Sequence, residues 1–344
     1  MKGISVIVCC YNSVGRLKPT IEHLLNQDNI APNQWEVIII DNASTDNTSE
    51  VANRLWKNNV TANKPNFRII KEFEPGLSAA RLCGINNAHF DYLLFCDDDN
   101  WLSENYLHDA LSIINDNPNV GVIGGYGIPV FEGHEPPYFW KNQYHTLAVG
   151  SQYLEEGDIT NTRKVVYGAG MIVNKNAFLE LIHKYQFKFQ STGRKGTSLV
   201  SGEDHELCLA LGMIGYKILW NKKLQFCHYI PKNRTEINYY KKLFLGFGLS
   251  EPLLIGYQLD RLKPINFKND YRYIALRKMK NVVSLYMKIL YEQKVLQKND
   301  YQILNLTQDL YTNLGSFKTT LKVRNNIRDG FISTVLFKLT PNQN

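Results

Sequence analysis

The stretch at 91–100 reads DYLLFCDDDN. Residues 91–96 form a short apolar run rich in strand formers, with no alternation of polar positions. Such a run fits a strand buried on both faces of a sheet. It ends on Asp97, Asp98 and Asp99. Three adjacent carboxylates repel one another and are costly unless a cation or hydrogen-bond donors balance them. A hard divalent cation shared with substrate phosphates would do so; a solvated acidic turn capping the next helix is the plainer alternative.

Upstream the same grammar repeats. Residues 4–10 (ISVIVCC) and 36–40 (EVIII) read as two more buried strands, and 67–71 as a third strand. Leu17, Ile21, Leu24 and Leu25 recur at helical spacing after the first, with Pro19 placed in an opening turn. The polar loop DNASTDNTSE follows the second strand, and EPGLSAARLCGINNA opens a helix after the third. Alternating strand and helix predict a parallel, doubly wound sheet. Ligands bind such sheets at the carboxyl ends of the strands. Tyr11-Asn12, Asp41-Asn42 and Asp97–Asp99 all fall there. No G-x-G-x-x-G or Walker loop follows the first strand, which counts against a nicotinamide dehydrogenase or a P-loop NTPase.

Beyond residue 100 the alternation loosens. VGVIGGYGIPVF (120–131) reads as a bent strand, and VVYGAGMIVNK (165–175) as another. Gly168, Ala169 and Gly170 would let a ligand approach its backbone closely. SGEDHELCLALGMIGYKILW (201–220) reads as loop, helix and strand. Glu203 and Asp204 open that helix, as capping acids or as a general base. Arg81 lies in the first turns of a helix, where guanidinium and helix N-terminus can face one anion. His228 sits alone in QFCHYIPKNR. From residue 236 the chain reads as all-helical. The apolar segment 243–257 looks broken at Glu251 and Pro252; for 300–315, Asp300 is the expected N-cap and Gly315 the C-cap. In 271–290, Ala275, Met279, Val282, Tyr286 and Ile289 form one stripe among basic residues.

The chain has 344 residues and a net charge of +7. Residues 1–260 carry 24 Lys+Arg against 27 Asp+Glu; residues 261–344 carry 15 against 5. A globally basic nucleic-acid-binding domain is thereby excluded, and the basic end becomes a candidate contact for an anionic membrane surface or a partner, with oligomerisation open. Six cysteines without C-x-x-C spacing suit a reducing cytosol rather than zinc or a disulfide scaffold. No signal peptide and no spanning helix are expected, so the protein is expected in the cytoplasm, with the inner face of the plasma membrane open.

SVIVCCYNS, EVIIIDNASTDNT, EPGLSAAR, LLFCDDDN and SGEDHELCLALGMIGYKILW, in this order, resemble the inverting family 2 glycosyltransferases of bacterial polysaccharide or glycoconjugate type. The resemblance covers residues 4–235 and implies the GT-A fold, a Rossmann-like nucleotide-diphospho-sugar transferase α/β sandwich in three layers. The implied division is a catalytic domain at 1–235 (nucleotide half 1–105, acceptor half 106–235) and a basic helical extension at 236–344. The resemblance further implies a nucleotide-sugar donor, most often a UDP-sugar, a Mn2+ or Mg2+ ion, and a glycan or lipid-linked acceptor. Cys9 and Tyr11 would line the base pocket, Asp41 would contact uracil, and Arg81 would sit near base or diphosphate. Asp97 and Asp98 would reach ribose, Asp99 and His228 would serve the metal, and 168–170 would pass the donor sugar. Asp204, beside Glu203, matches the catalytic base. Cys9-Cys10 stand where the family usually has Pro-Thr, and Leu82 where an Asn commonly follows the loop Arg. The Q-x-x-R-W string of processive synthases is absent, which favours single-sugar addition. The competing readings are a sugar-phosphate nucleotidyltransferase, which would want a Gly-rich basic loop after the first strand, and a non-catalytic sugar-binding relative.

Overall fold

The computed structural model describes residues 2–59, 64–133, 136, 138–191, 193–194, 199–258 and 267–322. The chain divides into two compact units, 1–184 with 207–232, and 185–206 with 233–344.

The first unit begins with the expected alternation: β1 (Ile4–Cys10), α1 (Leu17–Leu25), β2 (Trp35–Asn42), α2 (Thr48–Asn58), β3 (Asn66–Glu72), α3 (Leu77–Asn87) and β4 (Tyr92–Asp97). Then come β5 (Asn100–Leu102), α4 (Tyr106–Asp116), β6 (Val120–Phe131), β7 (Gly157–Asp158), β8 (Met171–Asn174), α5 (Lys175–His183), α6 (Glu203–Met213) and β9 (Lys217–Ile230). The opening residues of α6 fall in the second unit and the rest in the first.

The strands form one sheet in the order β3-β2-β1-β4-β8-β6-β9-β5, with β7 on β9. Only the first four neighbours make the expected all-parallel block. β8 then runs antiparallel to both β4 and β6, and β5 antiparallel to β9, so the sheet is mixed. Parallel pairing returns once beyond this block, between β6 and β9, whose connection passes through α5 and α6. The sheet interior is as apolar as the runs predict. Every residue of β2 is buried, and all of β1 but Cys9. Ile4, Val6 and Val8 pack with Leu17, Ile21 and Leu24 of α1. On the opposite face α3 comes so close that a Cβ on Gly84 would stand 2.4 Å from the Ile7 side chain. Each large aliphatic side chain buried this way contributes about 1.5–3 kcal/mol.

One buried acid interrupts this core. Glu36 accepts hydrogen bonds from Ser5 Oγ (2.7 Å), the His89 backbone N–H (2.7 Å) and Arg68 Nη2 (2.8 Å). Burial works to raise its pKa, but these donors outweigh it and hold the carboxyl below its ordinary value.

In the second unit, α7 (Ile237–Gln258), α8 (Phe267–Lys294) and α9 (Leu304–Lys322) pack together. α7 runs through Glu251 and Pro252, and Glu251 pairs with Lys278 of α8 at 2.8 Å. Two expectations fail here. α9 begins at Leu304 rather than at Asp300, which instead accepts from Gln293 Nε2 at 2.9 Å. Gly315 does not end α9. It lies at a close helix crossing, where a Cβ would stand 2.3 Å from the Leu245 carbonyl oxygen, and one on Gly248 would stand 2.1 Å from that of Thr312. The stripe expected on α8 also splits: Ala275 and Ile289 are buried, whereas Met279 and Tyr286 are exposed.

Candidate active site

Parallel register puts the first row of the site together. Cys10 of β1 stands opposite Asp41 of β2, and Cys9 opposite Asp97 of β4. Neighbouring strands lie about 4.8 Å apart, so these residues share one rim at the carboxyl ends of three adjacent strands. β1 is where the strand order reverses, the point at which open α/β sheets bind ligands.

The loops above this rim are braced to each other. Asn12 and Ala43, at the ends of β1 and β2, both take left-handed backbone (φ 51° and 54°). For Ala43 that costs about 1–2 kcal/mol. Asn12 Oδ1 accepts from the Thr45 N–H at 2.8 Å, and the Ser13 N–H donates to Thr48 Oγ1 at 2.9 Å. Asn42 Nδ2 donates to the Glu74 carbonyl at 2.6 Å, while its Oδ1 accepts the Gly76 N–H at 2.8 Å. Asn42 thereby fixes the end of β2 to the start of α3, which carries Arg81. Strain and cross-bracing of this kind pre-organise a site at the expense of local stability.

Asp41 is buried. Its Oδ2 accepts the Ser49 hydroxyl, and its Oδ1 makes no hydrogen bond among the described residues. That oxygen keeps the acceptor capacity an imide N–H would use. Tyr11 is exposed at the end of β1. The Arg81 guanidinium stands 5.0 Å from the centre of the Phe95 ring, a cation–π distance. Burial pushes the Cys9 thiol up to about 12, against the nearby Arg81 charge. Cys9 is therefore a neutral wall at physiological pH, with no thiolate to act as nucleophile.

The three aspartates separate into different tasks. The Asp97 N–H donates to Asn100 Oδ1 at 3.3 Å, and its carboxylate belongs to the rim row. Asp98 turns to α1: it takes the Ser13 hydroxyl and a 2.7 Å ion pair from Arg16. Its backbone carbonyl accepts Thr20 Oγ1 at 2.8 Å. Burial and the adjacent Asp99 push its carboxyl up, against Arg16 and Ser13. Asp99 is buried, and its backbone carbonyl accepts the Tyr229 N–H at 2.9 Å. Antiparallel pairing of β5 with β9 sets Asn100 opposite His228, and His228 Nε2 lies 3.7 Å from Asp99 Oδ1. Among the described residues no group of three or more His, Cys, Asp or Glu side chains is arranged to hold a metal. A carboxylate and an imidazole suit a divalent ion that takes its remaining ligands from phosphate and water.

Gly168, Ala169 and Gly170 lie in the turn before β8 rather than within a strand. Gly170 has φ 65°, and a Cβ there would stand 2.9 Å from both Phe226 and the Tyr106 hydroxyl. The glycine thus has a packing reason of its own, and Tyr106 donates to its carbonyl at 2.6 Å.

Glu203 and Asp204 open α6 and belong to the second unit. Asp204 Oδ1 accepts the His205 N–H at 2.9 Å, and Glu203 is buried. Glu206, fully buried, accepts the N–H groups of Gln190 and Ser191 at 2.9 and 3.1 Å and the Tyr257 hydroxyl at 2.8 Å. It ties this first turn to the 190–191 segment and to α7. Sequence reasoning passed over Ser13, Arg16, Ser49 and Glu206. The polar density of DNASTDNTSE was a signal for Ser49, but nothing in it distinguished a brace from a solvated turn.

The family model "Glycosyl transferase family 2" matches residues 5–182, more than half of the chain. The protein belongs to glycosyl transferase family 2. A Methanococcus voltae dolichyl N-acetyl-alpha-D-glucosaminyl phosphate 3-beta-D-2,3-diacetamido-2,3-dideoxy-beta-D-glucuronosyltransferase is 26% identical over 262 residues, 74% of each chain. A Haloferax volcanii glucosyl-dolichyl phosphate glucuronosyltransferase is 22% identical over 211 residues, 60% of this chain and 66% of that one. The structure of S. aureus TarS 1-349 in complex with UDP-GlcNAc aligns with a TM-score of 0.52 at 16% identity, over 98% of this chain and 89% of that one. That likeness bears on the fold, which is the expected GT-A class with a helical C-terminal part. Within the transferase no helix among the described residues is long and apolar enough to cross a membrane.

Proposed function

We propose that this glycosyltransferase moves a single sugar from a UDP-sugar to a hydroxyl of a lipid-linked or glycan acceptor, with inversion at the anomeric carbon. The observation that carries the donor reading is the rim row: Asp41 with a buried, unused acceptor oxygen, Cys9 and Asp97 beside it, and Asp99 next to His228. Asp41 accepts the uracil imide N–H, Tyr11 covers the base, and Asp97 accepts a ribose hydroxyl. Asp98, committed to Arg16 and Ser13, acts on the ribose side by holding the aspartate turn in place. Arg81 supplies positive charge toward the base or diphosphate. Asp99 and His228 would hold Mn2+ or Mg2+, which when bound neutralises charge on the departing diphosphate. Asp204, assigned by its place in the SGEDHE string, takes the proton from the acceptor hydroxyl as that oxygen attacks. Glu203 shares that helix start, and Gly168–Gly170 is assigned to the donor-sugar side.

The lipid-linked acceptor class is supported by the names of the Haloferax volcanii and Methanococcus voltae relatives, which carry a glucosyl-dolichyl phosphate and a dolichyl N-acetylglucosaminyl phosphate. The test is a panel of nucleotide sugars with Mn2+, a polyprenyl-phosphate-linked sugar acceptor, and NMR of the product. Release of UDP with a product of opposite anomeric configuration is the expected result. Retained configuration would overturn the single-displacement mechanism. Formation of UTP and a sugar 1-phosphate from the UDP-sugar when pyrophosphate is added would make the protein a nucleotidyltransferase.

A further inference from the structure

Helix α8 has three faces. Ala275, Lys278 and Ile289 are buried, and Lys278 is held by Glu251. Around the helix from that face lies a second apolar stripe that nothing among the described residues covers. Tyr273, Leu276, Met279, Val283, Tyr286, Met287 and Tyr291 are each between 44% and 65% exposed. They recur at helical spacing over five turns, where scattered single exposures are the norm on a soluble surface. Arg277 and Lys288 border it on the far side, and Arg272 and Lys280 lie within its span, all four exposed. From 272 to 291 the helix carries five basic residues and no acidic one.

We infer that this face of α8 docks on an anionic lipid surface. The charge pattern selects the occupant. An apolar stripe bordered by cations, with tyrosines along it, matches the boundary between acyl chains and anionic headgroups. A second copy of the chain would fit badly. A two-fold contact sets a face against itself, and here it would bring together two faces that each carry Arg277, Lys280 and Lys288, with no carboxylate on 272–291 to pair them. Docking would keep the enzyme at the surface on which a lipid-linked acceptor resides, though the inference stands without the acceptor reading.

The test is co-sedimentation of the full chain with phosphatidylcholine vesicles, with and without phosphatidylglycerol, at low and high salt. The wild type is expected to bind the phosphatidylglycerol vesicles and to be released by salt. Arg277→Glu with Lys280→Glu and Lys288→Glu should lower partition by roughly 100-fold or more, from the electrostatic contribution of each cation near such a surface. Leu276→Ser with Val283→Ser and Met287→Ser should abolish binding at an unchanged melting temperature, because all three side chains are already in solvent. Absence of wild-type binding to anionic vesicles would overturn the inference. So would charge-reversed protein that partitions like the wild type. A wild-type dimer that the serine variant dissociates, with no vesicle binding, would assign the face to a second copy instead.

Discussion

Replacing Asp41 by Asn tests the base site at one atom. The Ser49 hydroxyl donates to Oδ2 and would claim the amide oxygen, leaving the amide NH2 where Oδ1 now accepts. Uracil presents an N–H at its N3 and cytosine a lone pair. The substitution therefore removes a charge-assisted hydrogen bond, worth about 1.5–3 kcal/mol, and sets donor against donor. UDP affinity should fall by roughly 10- to 150-fold, the same energy as a ratio. CDP, weaker than UDP in the wild type, should lose far less or gain. Isothermal titration of both nucleotides against both proteins, with Mn2+ present, measures all four constants. A UDP affinity within twofold of wild type would refute the base assignment of Asp41, as would an equal loss for UDP and CDP.

Other predictions follow from the same geometry. Asp204→Asn should lower turnover by about 100- to 10,000-fold, the range of a general base, with UDP affinity unchanged; near-normal turnover would remove Asp204 as the base. Glu36 has a folded pKa below its unfolded value, so its stabilisation is complete above the ordinary carboxylate pKa of 4.5 and is lost as pH falls through the lowered value. Glu36→Gln should cost about 3 kcal/mol at neutral pH, as for one partner removed from a buried ion pair, and the fall of unfolding free energy with pH below 4.5, measured by urea melts at each pH, should become shallower; an unchanged acid profile would contradict this. Gly248→Ala should destabilise by about 1–3 kcal/mol, because its Cβ meets backbone and not a movable side chain. Gly15→Ala, where a Cβ meets nothing within 4 Å, is the control, and equal melting temperatures for the two variants would count against the close crossing.

The nucleotide half of the fold was legible because β1, β2 and β4 are buried on both faces, while the edge strand β3 is only half-buried. A strand such as Val37–Ile40 has no polar option, and its length and end are visible in the residues themselves. The three polar strand ends followed from the same reading, and register then brought them into one row. Legibility stopped where one residue type serves two purposes. Gly315 reads as a helix stop, but here it permits backbone contact between α9 and α7, which depends on a partner 70 residues away. The resemblance sets Asp98 with Asp97 at the ribose, and only the structure shows Arg16 and Ser13 claiming it. The helical period of α8 was visible, but the period alone does not say which apolar residues face a neighbour. It merged the buried positions with the exposed ones.

The central claim is a metal-assisted UDP site on the rim of β1, β2 and β4. UDP binding measured with and without Mn2+, on wild type and on Asp99→Ala, tests it most directly. The account predicts that Mn2+ tightens UDP binding to the wild type by tenfold or more on the order expected for a bridging divalent ion, and that the variant binds UDP weakly and equally in both conditions. Wild-type affinity that ignores the metal, or a variant that responds to it as the wild type does, would contradict the account.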